Sequence, residues 1–150
     1  MERWAEPPGC AHTMNIIAVG ISHKTAPIEV REKLAVPESR LGEALRRLCA
    51  YPGIKEGMLL STCNRVEVYA VVEDVDAGYA RVQEFLADTH LSLSSEQLTP
   101  HLYWLTNDRA IWHLFRVAAS LDSMIVGEPQ ILGQLKDAFE AALTHKTSSV

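Results

Sequence analysis

A cysteine and an arginine two positions apart, Cys63 and Arg65, lie between two apolar runs in the stretch STCNRVEVY, residues 61–69. A thiolate is a strong nucleophile near neutral pH, and a neighbouring cation favours the ionised sulfur. Arg65 is the candidate cation. It could equally pair with Glu67, grip a carboxylate with its two-pronged guanidinium, or be a solvated surface charge. Cys63 has a plain alternative too, because buried free cysteines are common and inert. His113 falls among Ala110, Leu114 and Val117 at helical spacing. There a histidine is either a satisfied core residue or the distant proton-transfer partner of a cysteine, and spacing does not decide between them.

The stretch LDSMIVGEPQILGQLKDAF, residues 121–139, mixes Asp122, Ser123, Glu128, Gln130 and Gln134 into an apolar background. Gln130 and Gln134 are one helical turn apart and share a face beside Ile131. Hydrogen-bonding groups next to an apolar stripe suit a pocket for a small polar ligand. They suit helix capping equally well, with Glu128 and Pro129 marking the first turn. The sequence has no G-x-G-x-x-G and no Walker loop, so no nucleotide cradle is recognised. Its six histidines show no metal-ligand spacing, and no metal is expected.

The elements that must position these residues are legible from periodicity. NIIAVGIS, residues 15–22, is apolar on both faces, as a strand covered on both sides would be. IEVREKL after Pro27 predicts a short helix. Leu41, Ala44, Leu45, Leu48 and Cys49 mark one face of a helix starting near Pro37. GMLLST and RVEVYAVVE read as strands, the second with Val66, Val68, Ala70 and Val72 alternating against Arg65, Glu67 and Glu73. The short link between them predicts an antiparallel hairpin with Asn64 in a left-handed turn and Cys63 at the end of the sheet. A helix from about Asp76, a strand at HLYWL, and helices from Asn107 to Ala119 and from Pro129 onward complete the pattern. Strand, helix, strand, strand, helix, strand predicts an α/β fold, a ferredoxin-like βαββαβ sandwich with additional C-terminal helices. Ile131, Leu135, Ala138 and Ala142 keep helical period near the end, so the last helix is expected to lead on as a truncated linker helix and to need a partner for its stripe.

Of the 150 residues 47% are apolar, enough for one globular core. The expected division is a flexible extension over residues 1–13, a catalytic domain over 14–143 and the start of a further helical region over 144–150. Cys10, Cys49 and Cys63 form no C-x-x-C pair and are read as reduced thiols. No leader and no run of about eighteen apolar residues is visible, which predicts a cytoplasmic protein without a membrane span. A net charge of −5 argues against a domain built mainly to grip a nucleic-acid backbone.

Taken together, GISHKTAPIEVREKL (residues 20–34), STCNRVEVY and HLFRVAASLDSMIVGEPQILGQLKDAF (residues 113–139) resemble the N-terminal catalytic domain of glutamyl-tRNA reductase. The resemblance implies an enzyme of tetrapyrrole biosynthesis that converts glutamyl-tRNA to glutamate-1-semialdehyde with NADPH. Cys63 would attack the aminoacyl ester, release tRNA and leave a thioester for hydride to reduce. Thr62, Asn64, Arg65, Ser123, Glu128, Pro129, Gln130 and Gln134 would bind the substrate, Arg65 pairing with its side-chain carboxylate and Glu128 favouring its ammonium group. His113 would be catalytic, by handling a proton or orienting the ester. NADPH would be held by a domain absent from this chain, leaving the fragment at most an esterase. The resemblance further implies a homodimer joined through a later domain, and channelling to glutamate-1-semialdehyde aminomutase. Ser120 stands where the family tends to have glycine, which would strain the loop before Ser123 if that position needs positive φ. The rival readings are an unrelated cysteine esterase and a ferredoxin-like regulatory module binding a small amino acid.

Overall fold

The computed structural model describes residues 14–89, 93–127 and 129–149. The expected extension over 1–13 and the candidate Glu128 lie outside the described residues. Four strands, β1 (Asn15–Ser22), β2 (Ile54–Ser61), β3 (Arg65–Val72) and β4 (Tyr103–Thr106), form one sheet in the order β2-β3-β1-β4. Every neighbouring pair is antiparallel. Helices α1 (Ile28–Leu34) and α2 (Glu38–Ala50) link β1 to β2, and α3 (Val75–Thr89) and α4 (Ser95–Leu98) link β3 to β4. Helices α5 (Asp108–Ala118) and α6 (Gln130–Thr144) follow. The strand order along the chain is the expected one, α1 lies where the short helix after Pro27 was expected, and α4 is an addition in the second crossover.

Period-2 alternation sends Ile17, Val19 and Ile21 of β1 and Val66, Val68, Ala70 and Val72 of β3 to one face. There they meet the apolar stripes of α2 (Ala44, Leu45, Leu48) and α3 (Val82, Phe85, Leu86). The opposite face is also covered. Ala18, Leu60 and Tyr69 pack under Ala110 and Val117 of α5 and Ile131 and Ala138 of α6. The stripe on α6 thus finds its partner inside the chain, against β2, contrary to the expectation that it needs one elsewhere.

Nor does α6 run on. Lys146 turns to φ 57°, and the Thr147 amide donates back to the Ala142 carbonyl at 2.9 Å, the Schellman pattern that closes a helix. Thr147 is buried, and Ser148 and Ser149 donate to Glu56. Asn107 does stand at the N-cap of α5, but its side chain caps nothing. Its Oδ1 accepts from the Ile16 amide at 3.0 Å and its Nδ2 donates to Asn15, so it ties the helix to β1 instead.

Candidate functional site

The hairpin between β2 and β3 turns through residues 62–64. The Thr62 amide donates to the Arg65 carbonyl at 2.8 Å, and Thr62 Oγ1 accepts from the amides of Asn64 and Arg65, each at 3.2 Å. Asn64 is not left-handed, as the turn chemistry had suggested; the threonine hydroxyl satisfies the turn without a positive φ. Cys63 stands exposed at its tip. A cavity of about 40 Å³ opens beside it, lined by Thr62, Cys63, Asn64, Arg65, Ser123, Gln130, Ile131 and Gln134. Two stretches far apart in sequence, the hairpin turn and the run from Ser123 into the first turns of α6, therefore converge on one thiol. Pro129 is the N-cap residue directly before Gln130.

His113 is not among the residues lining the cavity. Its Nε2 lies 2.7 Å from Glu67 Oε1, and its ring meets that of Tyr103 edge-on. Glu67 is the hub of a buried network that sequence alternation did not reveal. Arg65 Nη1 donates to its Oε1 at 2.8 Å, Tyr69 donates to its Oε2 at 2.6 Å, and the Tyr103 hydroxyl also donates to Oε1. Arg65 is itself fully buried, correcting any reading of it as a solvated charge. Its Nη2 donates to the Asp122 carbonyl at 2.6 Å and to Asp122 Oδ2 at 3.1 Å, while Lys24 holds Asp122 Oδ1 at 2.6 Å. Gly20 pairs with Glu67 across the ladder, and a Cβ there would fall 2.9 Å from Glu67 Cγ. The missing side chain at Gly20 is the space that Glu67 occupies.

The charges follow from this packing. Burial alone would push the Glu67 carboxyl up, but the His113 hydrogen bond and the Arg65 charge hold it below its usual range. Burial works against the Arg65 charge as well, and Glu67 and Asp122 more than restore it. Tyr69 and Tyr103 are raised, by burial first and then by the Glu67 charge, so both remain neutral donors. The result is a guanidinium fixed in the wall of the cavity beside an exposed thiol, its charge balanced by Glu67 and Asp122. Arg31, also unremarked in the sequence, reaches from α1 to donate to the Cys63 carbonyl at 2.7 Å. Ser120 has φ 58°, the left-handed backbone that the resemblance raised for that position. Among the described residues no cluster of three or more His, Cys, Asp or Glu could hold a metal ion, and no helix is long and apolar enough to cross a membrane.

A thiol at the mouth of a small polar cavity, with a buried guanidinium in its wall, is the arrangement of a domain that could accept an acyl group. Comparison with known proteins gives the family. The family described as Glutamyl-tRNAGlu reductase, N-terminal domain, matches residues 19–150, and the chain belongs to it. It is 51% identical over 137 residues to a glutamyl-tRNA reductase of Geotalea uraniireducens, covering 91% of this chain and 31% of that protein. With the glutamyl-tRNA reductase of Syntrophotalea carbinolica the identity is 57% over 129 residues, 86% of this chain and 29% of the other. The solved structure of glutamyl-tRNA reductase from Methanopyrus kandleri aligns with TM-score 0.69 and 34% identity, covering 89% of this chain and 29% of that one. The chain therefore spans just under a third of the length of these relatives.

Proposed function

We propose that this chain is the acyl-accepting domain of an NADPH-dependent glutamyl-tRNA reductase acting in tetrapyrrole biosynthesis, with Cys63 as the nucleophile. The single observation that carries the reading is the convergence of Thr62, Asn64, Arg65, Ser123, Gln130 and Gln134 on the cavity beside the exposed Cys63 sulfur. The thiolate attacks the carbonyl carbon of the aminoacyl ester. A C–S bond forms, the C–O bond to the terminal ribose breaks, and the ribose oxygen leaves with a proton. Water can then hydrolyse the thioester to glutamate.

Arg65 supplies the charge that complements the side-chain carboxylate of a glutamyl group, while Ser123, Gln130 and Gln134 offer hydrogen bonds to its polar atoms. Glu128 completes the substrate set by favouring the ammonium group. His113 serves the reaction through Glu67, which it orients and which in turn holds Arg65. Tyr103 and Tyr69 complete that scaffold. The layout is a ferredoxin-like βαββαβ core with a second helical layer closing the site.

NADPH has no fit among these residues. The passage from β1 into α1 carries no glycine-rich turn, and the cavity beside Cys63, about 40 Å³, is far below the size of a dinucleotide site. The chemistry derived for this chain therefore ends at the thioester. Hydride transfer, dimerisation and delivery of product to an aminomutase in the cytoplasm are properties of the full-length protein in this reading.

The test is release of tRNA from glutamyl-tRNA by the chain, compared with release from alanyl-tRNA. Thiol-dependent release confined to the glutamyl ester is the expected result. Equal release from both would favour a general cysteine esterase, and binding of glutamate without any release would favour a regulatory module.

A further inference from the structure

The exposed thiol sits on a three-residue turn outside the regular ladder, so what fixes its position must come from elsewhere. Two carbonyls of the turn, those of Cys63 and Asn64, point away from the β2–β3 pairing, and both are taken by the segment that follows β1. The His23 amide donates to the Asn64 carbonyl at 2.8 Å. Arg31 Nη1 donates to the Cys63 carbonyl at 2.7 Å and lies 3.3 Å from Asn64 Oδ1. One guanidinium nitrogen thus bridges the backbone of the nucleophile and the side chain of its neighbour. Together with the Thr62 hydroxyl beneath, these contacts hold the turn from two sides and leave the sulfur free.

The arrangement has a cost. Arg31 Nε and His23 Nδ1 are buried and have no hydrogen-bond partner, which is unusual for polar atoms removed from water. With Nη1 on the Cys63 carbonyl, Nε is left without an acceptor. Buried polar atoms without partners are few in folded proteins and each calls for an explanation; here the orientation serves the Cys63 carbonyl.

We infer that Arg31 is a positioning residue for acyl transfer to Cys63: acting through the Cys63 carbonyl and the Asn64 amide, it sets where the sulfur stands relative to the ester carbon. The inference rests on the reading of Cys63 as nucleophile. It requires no contact between Arg31 and the substrate, so on loss of Arg31 the rate at saturation falls far more than the half-saturating substrate concentration rises, any change in the latter passing through Asn64.

Single-turnover acylation of the chain by glutamyl-tRNA, followed by mass after acid quench, separates these effects. Arg31→Ala is expected to slow acylation at saturating substrate about 10- to 100-fold, the penalty of a misplaced reacting group, with the half-saturating concentration changed less than about 3-fold. Added guanidinium ion should restore part of the Arg31→Ala rate. Arg31→Lys keeps the charge but replaces the planar guanidinium with a shorter ammonium that does not reproduce the Nη1 placement, and it guards against a variant that fails to fold; its rate should fall between wild type and Arg31→Ala. Wild-type rates in both variants would overturn the inference, as would a loss seen only in the half-saturating concentration. A wild-type chain that takes no acyl group would remove the underlying reading of Cys63, a result distinct from normal acylation of both variants.

Discussion

The two faces of the sheet are built on opposite principles, although the same strand supplies both. On one, β3 contributes Val66, Val68, Ala70 and Val72 to an apolar core closed by α2 and α3. On the other it contributes Arg65, Glu67 and Tyr69, equally buried, to a charged network closed by α5 and the loop that carries Asp122. The first face gains stability from every side chain it removes from water, about 1.5–3 kcal/mol for a residue such as Phe85. The second pays several kcal/mol per ion in desolvation before its ion pairs return anything, and apolar residues of similar size often serve stability as well or better. The charged face is therefore not explained by stability. It holds one guanidinium, fully buried, in the wall of the Cys63 cavity.

Truncating one residue on each face separates the two. Phe85→Ala and Glu67→Ala are both expected to lose about 3–5 kcal/mol in denaturant unfolding, the first through a cavity and the second through an unpaired buried charge. They part in acylation. Phe85→Ala should retain the acylation rate per folded molecule, and Glu67→Ala should not. The double change Arg65→Met with Glu67→Leu removes both charges, so it should be more stable than Glu67→Ala while remaining inactive; additive losses would show that the network is worth more to the fold than argued.

Acid sharpens the same contrast. Glu67 is held below its ordinary value of 4.5 in the folded chain, so between the two values the unfolded chain binds the extra proton and stability rises with pH. The contribution is complete above about pH 4.5 and is lost as pH falls through the folded value. Glu67→Gln should flatten the acid limb of a stability profile, and an unchanged limb would assign it to other carboxylates.

A smaller effect belongs to the loop over the charged face. With φ 58° at Ser120, Ser120→Val should cost about 1–3 kcal/mol because a β-branched side chain resists left-handed backbone, while Ser120→Gly should cost none. Thermal unfolding of the pair checks this.

The apolar face was legible because its rule is local. Alternation in β1 and β3 and the stripes of α2, α3 and α5 place each element from its own residues. The site was half legible. Cys63 on a sheet-end turn followed from the brevity of the link, and Gln130 and Gln134 share a face by helical period alone. The Arg65–Glu67 pair was among the readings of the sequence, but its burial was hidden, because alternation assigns charged positions to solvent unless something shows that the second face is covered. The covering helix begins 41 residues beyond Glu67, counted from 67 to Asp108. Arg31 was hidden for a related reason, since its partner is a backbone carbonyl 32 positions away, which leaves no trace in side-chain pattern. The end of α6 was missed because the apolar period continues to Ala142, and the Lys146 backbone that stops the helix needs no glycine.

Acyl transfer to Cys63 would leave a mark on the thiol that can be weighed. The chain, mixed briefly with glutamyl-tRNA, quenched in acid and digested for mass spectrometry, should carry a glutamyl group on the Cys63 peptide and none in Cys63→Ser. An unmodified Cys63 in a folded chain whose thiol still reacts with iodoacetamide would contradict it.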